Sequence, residues 1–540
     1  MSKMIDIKNI PQDKFQFASS EGKLHDKKLE TKPIGYLKDA WIRFRKNKSS
    51  IVGAVIVVFL VLFAIIGPYC FPKNYIAAYE TDIDLRRYQY LTPKLSFVEP
   101  GSGFWDGTQR KTISETQYQI YQARATETGR ETIVKVYESY ETTGINNTKV
   151  KMYDCLIDTY STVNVFTKQF TYKEYKAIQE YQNRTGKQVI LPWVIYNKSS
   201  DPTSKNSQVL FDNINIWYNC DKTGKPVLNE DNEIVPGYKA SGLDQYDSIR
   251  LKNDPAYGAE DPSKVSTRFR YSTITISGVL EDKTNPELWG YTVRLNPSEY
   301  FVYKYGFEPS FTFGSSADGY DIFTRLASGA RFSLLFALAV SAINLFIGAI
   351  YGAIEGYYGG ATDLIMERVS DILASIPTMV VTVLFNLHLA AKVGAVPALL
   401  YAFIMTGWIG MASRTRMQFY RFKNQEYVLA ARTLGARDRR VMFKHIFPNS
   451  LGTLITGSVL VIPGVIYSET SLTYLGIINL DSATRSSVGA MLNAGRGMFT
   501  VYPHLVLFPS LFIGLLMVSF NLFGNGLRDA FNPSLRGTED

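Results

Sequence analysis

Residues 51–71 read IVGAVIVVFLVLFAIIGPYCF, a run without one charged side chain. Coiled as an α-helix it rises about 30 Å, the thickness of a bilayer's hydrocarbon core, and predicts a membrane span. Just before it stand Trp41, Arg43, Phe44, Arg45, Lys46 and Lys48. Such an aromatic and basic collar suits the headgroup layer, and its positive charge marks the cytoplasmic side. Residues 1–50 are therefore expected inside, as a tail and interfacial helix. A cleaved signal peptide is the competing reading. Against it stand the long charged lead and Tyr69-Cys70-Phe71, where cleavage would need small residues.

Averages hide this span. The 540 residues are 46% hydrophobic and 20% charged, with net charge +9 and three cysteines, figures that taken alone describe a slightly basic soluble chain. They exclude a disordered chain, a collagen-like repeat and a disulfide scaffold. Between residues 72 and 325 no stretch is apolar enough to span, and about 250 residues are too many for a structureless loop, so a folded domain is expected. Thr116 to Tyr121, Thr132 to Tyr137 and Arg268 to Ile276 alternate as strands do, Lys173 to Gln182 has a helical pattern, and Ser199 to Ser207 and Asp221 to Lys239 carry loop composition. An α+β domain follows, and one span after an inside start places it outside the cell. Cys155 and Cys220 both fall in it, where an oxidising setting permits a disulfide; two unrelated thiols are the alternative.

After Arg331 apolar stretches return, at Phe332 to Ile350, Ile372 to Leu389, Val396 to Met411, Leu451 to Tyr467 and Leu505 to Phe523. The fold class expected is a membrane all-α bundle of six helices, with the α+β domain inserted between the first and second. Residues 326–530 hold five of the helices and 531–540 form a tail. Alternation puts the loop at about 412–450 inside. It carries Arg414, Arg416, Arg421, Lys423, Arg432, Arg437, Arg439, Arg440 and Lys444 against Glu426 and Asp438, as positive-inside orientation requires. The basic balance therefore reports orientation against membrane lipid and gives no reason to expect nucleic acid.

Catalytic motifs are missing. The chain has no GxxxxGK(S/T) phosphate loop, HExxH, CxxC or GxSxG, so it is expected not to be an enzyme and to bind no cofactor. His25, His388, His445 and His504 are scattered, and no metal site is expected.

The loop has a distinctive core, Glu426-Tyr427-Val428-Leu429-Ala430-Ala431-Arg432-Thr433-Leu434-Gly435, followed by Asp438 and Pro448. Tyr427, Ala430, Ala431 and Leu434 recur at helical spacing, the two alanines keep one face small for a close partner, and Gly435 can end the helix with positive φ. A second, basic helix from Asp438 is expected to stop at Pro448. Glu426, Ala430-Ala431, Gly435 and Pro448 together resemble the EAA loop of ABC importer permeases. Further motifs look like the C-type permease of oligopeptide and dipeptide importers: Gly329-Ala330-Arg331-Phe332-Ser333-Leu334, Gly356-Tyr357-Tyr358-Gly359-Gly360, Val369-Ser370-Asp371-Ile372-Leu373, Gly489-Ala490-Met491-Leu492 and Asn521 to Ala530. This chain departs from the family pattern at Gly314-Ser315-Ser316, Gly319-Tyr320-Asp321 and Asn525, and in its large insertion.

The resemblance implies a transport subunit whose loop, at Glu426, Tyr427, Ala430, Ala431, Leu434, Gly435 and Pro448, couples to separate ATPases. Partners implied are a second similar permease, two ABC ATPase subunits that hold ATP and magnesium, and an extracellular peptide-binding lipoprotein. Asn344, Asn386, Thr406, Ser468 and Asn521 are candidates to line the substrate path, although such residues also hydrogen-bond neighbouring helices. Two rival readings stay open: a signalling protein with a sensory ectodomain, and an importer of nickel or another small solute.

Overall fold

The computed structural model describes residues 36–72, 75, 82–143, 149–187, 189–190, 193–194, 216–219, 236–238, 290–480 and 486–531. Helix α1 (Tyr36–Lys46) is followed by α2 (Lys48–Ile66), whose first turn is capped by Asn47 accepting from the Ser50 amide. One face of α2 leaves Val55, Val58, Phe59, Leu62, Ile65 and Ile66 bare, as lipid contact requires; the other buries Gly53, Leu60 and Ala64.

The insertion holds β1 (Thr108–Ser114), α3 (Glu115–Thr128), β2 (Ile133–Thr143), β3 (Lys149–Asp158), β4 (Phe166–Thr171), α4 (Tyr172–Thr185), β5 (Trp193–Val194), β6 (Ile216–Asn219), β7 (Pro236–Tyr238), β8 (Gly290–Leu295) and α5 (Pro297–Tyr305). The described strands form three antiparallel groups, ordered β1-β3-β2, β4-β8 and β5-β6-β7. This is the expected α+β composition, with two corrections. Thr116 to Tyr121 is helical: Ser114 accepts from the Gln117 amide at its start, Gly129 closes it with φ 69°, and Tyr118 and Tyr121 pack at i,i+3 on Ile113, Cys155 and Ile157. The alternation there was equally a helical face. Residues 236–238, within an expected loop, pair with β6. Arg268 to Ile276, Ser199 to Ser207 and Cys220 lie outside the described residues, so the disulfide expectation does too; Cys155 is buried.

At the root of the insertion two segments run side by side. The Leu91 amide donates to Ser315 Oγ at 2.8 Å and the Ser315 amide to the Leu91 carbonyl at 2.9 Å. Asp321 then caps α6 (Ile322–Tyr358), accepting from the Phe323 and Thr324 amides. The bundle continues with α7 (Gly360–Ala374), α8 (Thr378–Val393), α9 (Ala395–Gly407), α10 (Ile409–Phe422), α11 (Glu426–Thr433), α12 (Asp438–Arg440), a π-helical turn at Val441–Ile446, α13 (Phe447–Tyr474), α14 (Val488–Arg496) and α15 (His504–Phe531).

Among the described residues five stretches are long and apolar enough to cross a membrane: Lys48–Tyr69, Ile322–Tyr358, Ala395–Phe422, Asp438–Tyr474 and His504–Phe531. The sixth expected crossing is broken, because α7 and α8 meet at 71°. Pro377, with ψ 125°, lies in the break and cannot continue the α-helical ladder. Pro448 behaves otherwise. Expected to stop a helix, it sits in the first turn of α13, and the rod runs unbroken from Asp438 to Tyr474. The π turn just before it widens the chain where an α turn would have set the proline ring against a carbonyl.

Candidate functional site

Helix α11 ends in a Schellman arrangement. The Gly435 amide donates to the Arg432 carbonyl at 2.9 Å and the Ala436 amide to the Ala431 carbonyl at 3.0 Å, with Gly435 at φ 79°. Its faces differ from the sequence expectation. Ala431 turns inward and is buried, and Val428, which is fully buried, packs with Tyr357, Phe419, Val441 and Ile446. Tyr427, Ala430 and Leu434 point out, with Leu434 88% exposed. At 100° per residue, positions 427, 430, 431 and 434 span an arc of about 100°, with Ala431 at the edge nearest Val428, so the bundle covers that edge and leaves the rest of the arc bare. Glu426 is exposed at the first turn.

The seat of α11 is tied to the bundle. Tyr357 OH donates to Asp438 at 2.6 Å, Arg432 lies 5.1 Å over the Tyr357 ring, and Asn449 donates to Tyr427 OH at 3.2 Å. One layer in, Arg416 of α10 bonds Asp363 at 2.6 and 2.8 Å and Glu367 at 2.7 Å, clamping α7 to α10. Glu355 is buried 3.8 Å from Arg416. Beside α11 an open cavity of about 540 Å³ is lined by Arg437, Arg439, Arg440, Lys444, Phe443 and Pro448.

A second open cavity, of about 550 Å³, lies where α6, α9, α10 and α13 meet the α7–α8 break. Asn344, Thr406 and Ser468 all line it, together with Thr378, Phe403 and Gly464. Asn344 is 3% exposed and its Oδ1 has no hydrogen-bond partner among the described residues. The other two path candidates lie elsewhere: Asn386 donates to the Ile477 carbonyl, and Asn521 is exposed and donates to its own helix at Met517. No charged side chain lines this cavity. Among the described residues no group of three or more His, Cys, Asp or Glu could hold a metal ion.

Residues 344–537 match the family model described as binding-protein-dependent transport system inner membrane component, and residues 35–93 match the N-terminal TM domain of oligopeptide transport permease C. The oligopeptide transport system permease protein OppC of Bacillus subtilis (strain 168) is 42% identical over 224 residues, 42% of this chain and 72% of that protein. The chain belongs to the binding-protein-dependent transport permeases of the oligopeptide and dipeptide type. The dipeptide permease DppC of the same strain is 38% identical over 225 residues (42% of this chain, 69% of that protein), and OppC of Haemophilus influenzae is 40% identical over 227 (42% and 70%). The permease is thus a multi-pass membrane protein, and neither family match touches residues 94–343.

Three residues of the permease escaped the sequence reading. Val428 anchors α11, Arg416 ties α10 to α7, and Glu469 is fully buried within α13, accepting from Ser333 Oγ at 2.9 Å and Thr473 Oγ1 at 3.3 Å. A carboxylate inside an apolar stretch, Ser468-Glu469-Thr470, was the available signal.

Proposed function

We propose that this permease is the membrane subunit of an ATP-driven importer that moves oligopeptides or dipeptides across the cytoplasmic membrane. In this reading its amino terminus and the Glu426–Gly435 helix face the cytoplasm, and the insertion faces outward. A second permease completes the pathway, two separate ATPases bind ATP and magnesium, and an external peptide-binding lipoprotein delivers cargo. The chain itself does no chemistry. The observation that carries the reading is the exposed stripe of Tyr427, Ala430 and Leu434 on a helix whose adjoining edge, Val428 and Ala431, is buried. A bare leucine on so rigidly seated a helix supports a protein partner that covers it, and force applied there reaches α6 through Tyr357 and Asp438.

Cargo would pass the uncharged cavity at Asn344, Thr406 and Ser468. Uncharged hydrogen-bonding groups suit the peptide main chain, which every cargo peptide shares, and make no demand on side-chain charge. Coupling would then be alternating access: ATP binding draws the two ATPases together, α11 moves with them, and the spans rock.

The test follows from the corrected faces. Leu434→Asp and Ala430→Trp should weaken binding of the purified ATPases at least ~tenfold, as loss of an interface anchor does, and abolish labelled peptide uptake into vesicles while the chain still inserts. Full uptake by the double variant would remove α11 as the coupling element.

A further inference from the structure

The insertion meets the bundle at the end of the spans away from α11, and the level of the bilayer boundary there can be read from the packing. Tyr69 closes the first span 63% exposed, with Arg331 of α6 5.9 Å over its ring and bonded to its hydroxyl at 3.3 Å. An aromatic and cation pair of this kind marks the headgroup layer. Helix α15 runs antiparallel to α2: Phe63 meets Phe512 at 5.9 Å, and Gly53 backs onto Ser519 and Phe523. From Phe63 to Tyr69 the chain climbs six residues, about 9 Å at 1.5 Å each. The same climb along α15 from Phe512 reaches Val506, so the boundary crosses α15 near Val506 to Phe508.

The insertion touches α15 at that level. Trp105 packs on Phe508 with ring centroids 5.8 Å apart, and its indole N–H donates to the Thr312 carbonyl. Trp105 belongs to a closed excursion, residues 94–106. The Leu95 amide donates to the Trp105 carbonyl at 2.8 Å, and buried Asp106 accepts from the amides of Gly103 at 2.8 Å, Thr108 at 3.0 Å and Gly101 at 3.1 Å. Burial pushes that carboxyl up, but these donors outweigh it and hold Asp106 below the usual carboxylate range. A loop cinched this firmly displays Phe97 80% exposed and Phe104 68% exposed. Helix α15, which Trp105 touches at Phe508, leaves Leu507, Leu511, Leu515 and Val518 bare, a stripe apolar enough for lipid.

We propose that residues 97–105 form a membrane-dipping loop, with Phe97 and Phe104 seated in the headgroup and upper acyl region of the phospholipid leaflet beside α15. The exposed rings belong to a loop that meets α15 at the level where aromatic side chains are favoured. The insertion is then fastened twice, to the bundle through Trp105 and to the bilayer through this loop. This holds whichever cargo is carried.

Photocrosslinking in the full-length permease tests it. p-Benzoylphenylalanine is placed at Phe97 or Phe104, and, as a control, at Tyr140, which is exposed on a hairpin arm with Glu138, Glu141, Lys149 and Lys151. In vesicles of phosphatidylethanolamine and phosphatidylglycerol, irradiation should give phospholipid adducts at Phe97 and Phe104 several times more often than at Tyr140. Adducts only to protein, or a lipid yield equal to the control, would overturn the proposal. In the unsubstituted chain, hydroxyl-radical labelling of Phe97 and Phe104 should fall severalfold on moving from detergent to lipid nanodiscs; unchanged labelling would overturn it equally.

Discussion

Single glycines decide how closely the permease's helices approach. On α6, Gly348, Gly352 and Gly356 fall at intervals of four and turn one bare stripe to α10. A Cβ at Gly352 would stand 2.0 Å from the Ala412 carbonyl oxygen, and one at Gly356 2.7 Å from that of Arg416. Backbone cannot move aside as a side-chain tip can, so the contact depends on hydrogen at these positions. Gly356 thus serves packing, whereas Gly359 and Gly360, at φ 66° and 58°, make the turn that follows α6. Gly352→Ala should destabilise the detergent-purified permease by about 1–3 kcal/mol, the usual cost of overpacking, seen as a lowered Tm. Gly410→Ala is the matched control, since nothing lies within 4 Å of its Cβ position; it should change stability by no more than ~0.5 kcal/mol. Equal effects would mean that α6 and α10 do not touch along this stripe. Gly407 has a different neighbour, Asn344 Nδ2 at 2.3 Å from its Cβ position, so a side chain there would press on the cavity's buried amide.

At the scale of elements, α11 shows what sequence spacing can and cannot tell. Glu426, the alanine pair, Gly435 and Pro448 located the element because they stand at fixed intervals. The helix end was also legible, because an αL position selects glycine for a local reason. Which side faces out was not legible, since it depends on what the bundle offers: Tyr357, Phe419 and Ile446 form the pocket that takes Val428. Pro448 misled for a related reason. Its effect on a helix depends on the turn before it, and a π turn leaves no mark in spacing. The capping geometry gives a graded prediction. Gly435→Asn, which tolerates φ near 79°, should keep uptake close to the unsubstituted level. Gly435→Val should cost about 1–2 kcal/mol of local strain and unseat the end of α11, with loss of ATPase binding. If both variants bind alike, the left-handed cap is not what positions this helix.

For the whole molecule, hydropathy marked the spans and the polar stretch between the first two, because the bilayer demands long apolar runs and the insertion has none. How the insertion sits on the bundle was hidden, as its contacts join residues about four hundred positions apart. Four of them converge on the turn between α14 and α15 and the start of α15: Tyr90 stacks on Tyr502 with centroids 4.6 Å apart, Lys111 Nζ lies 3.4 Å from Tyr502 OH, Gln109 donates to the Val501 carbonyl at 3.0 Å, and Trp105 packs on Phe508. Strand β1 contributes two of these, and its pairing with β3 makes it a stiff arm. The insertion therefore cannot tilt without pulling that turn, and the turn leads straight into a span. If this seat is real, Tyr90 and Tyr502 must be energetically coupled. Tyr90→Ala and Tyr502→Ala, alone and together, should give a coupling of ~0.5–1.5 kcal/mol, the range for aromatic pairs, read from hydrogen exchange of the β1 amides in the full-length permease. Strictly additive effects would show that this ring pair contributes nothing to the seat, leaving Gln109 and Trp105 to hold it.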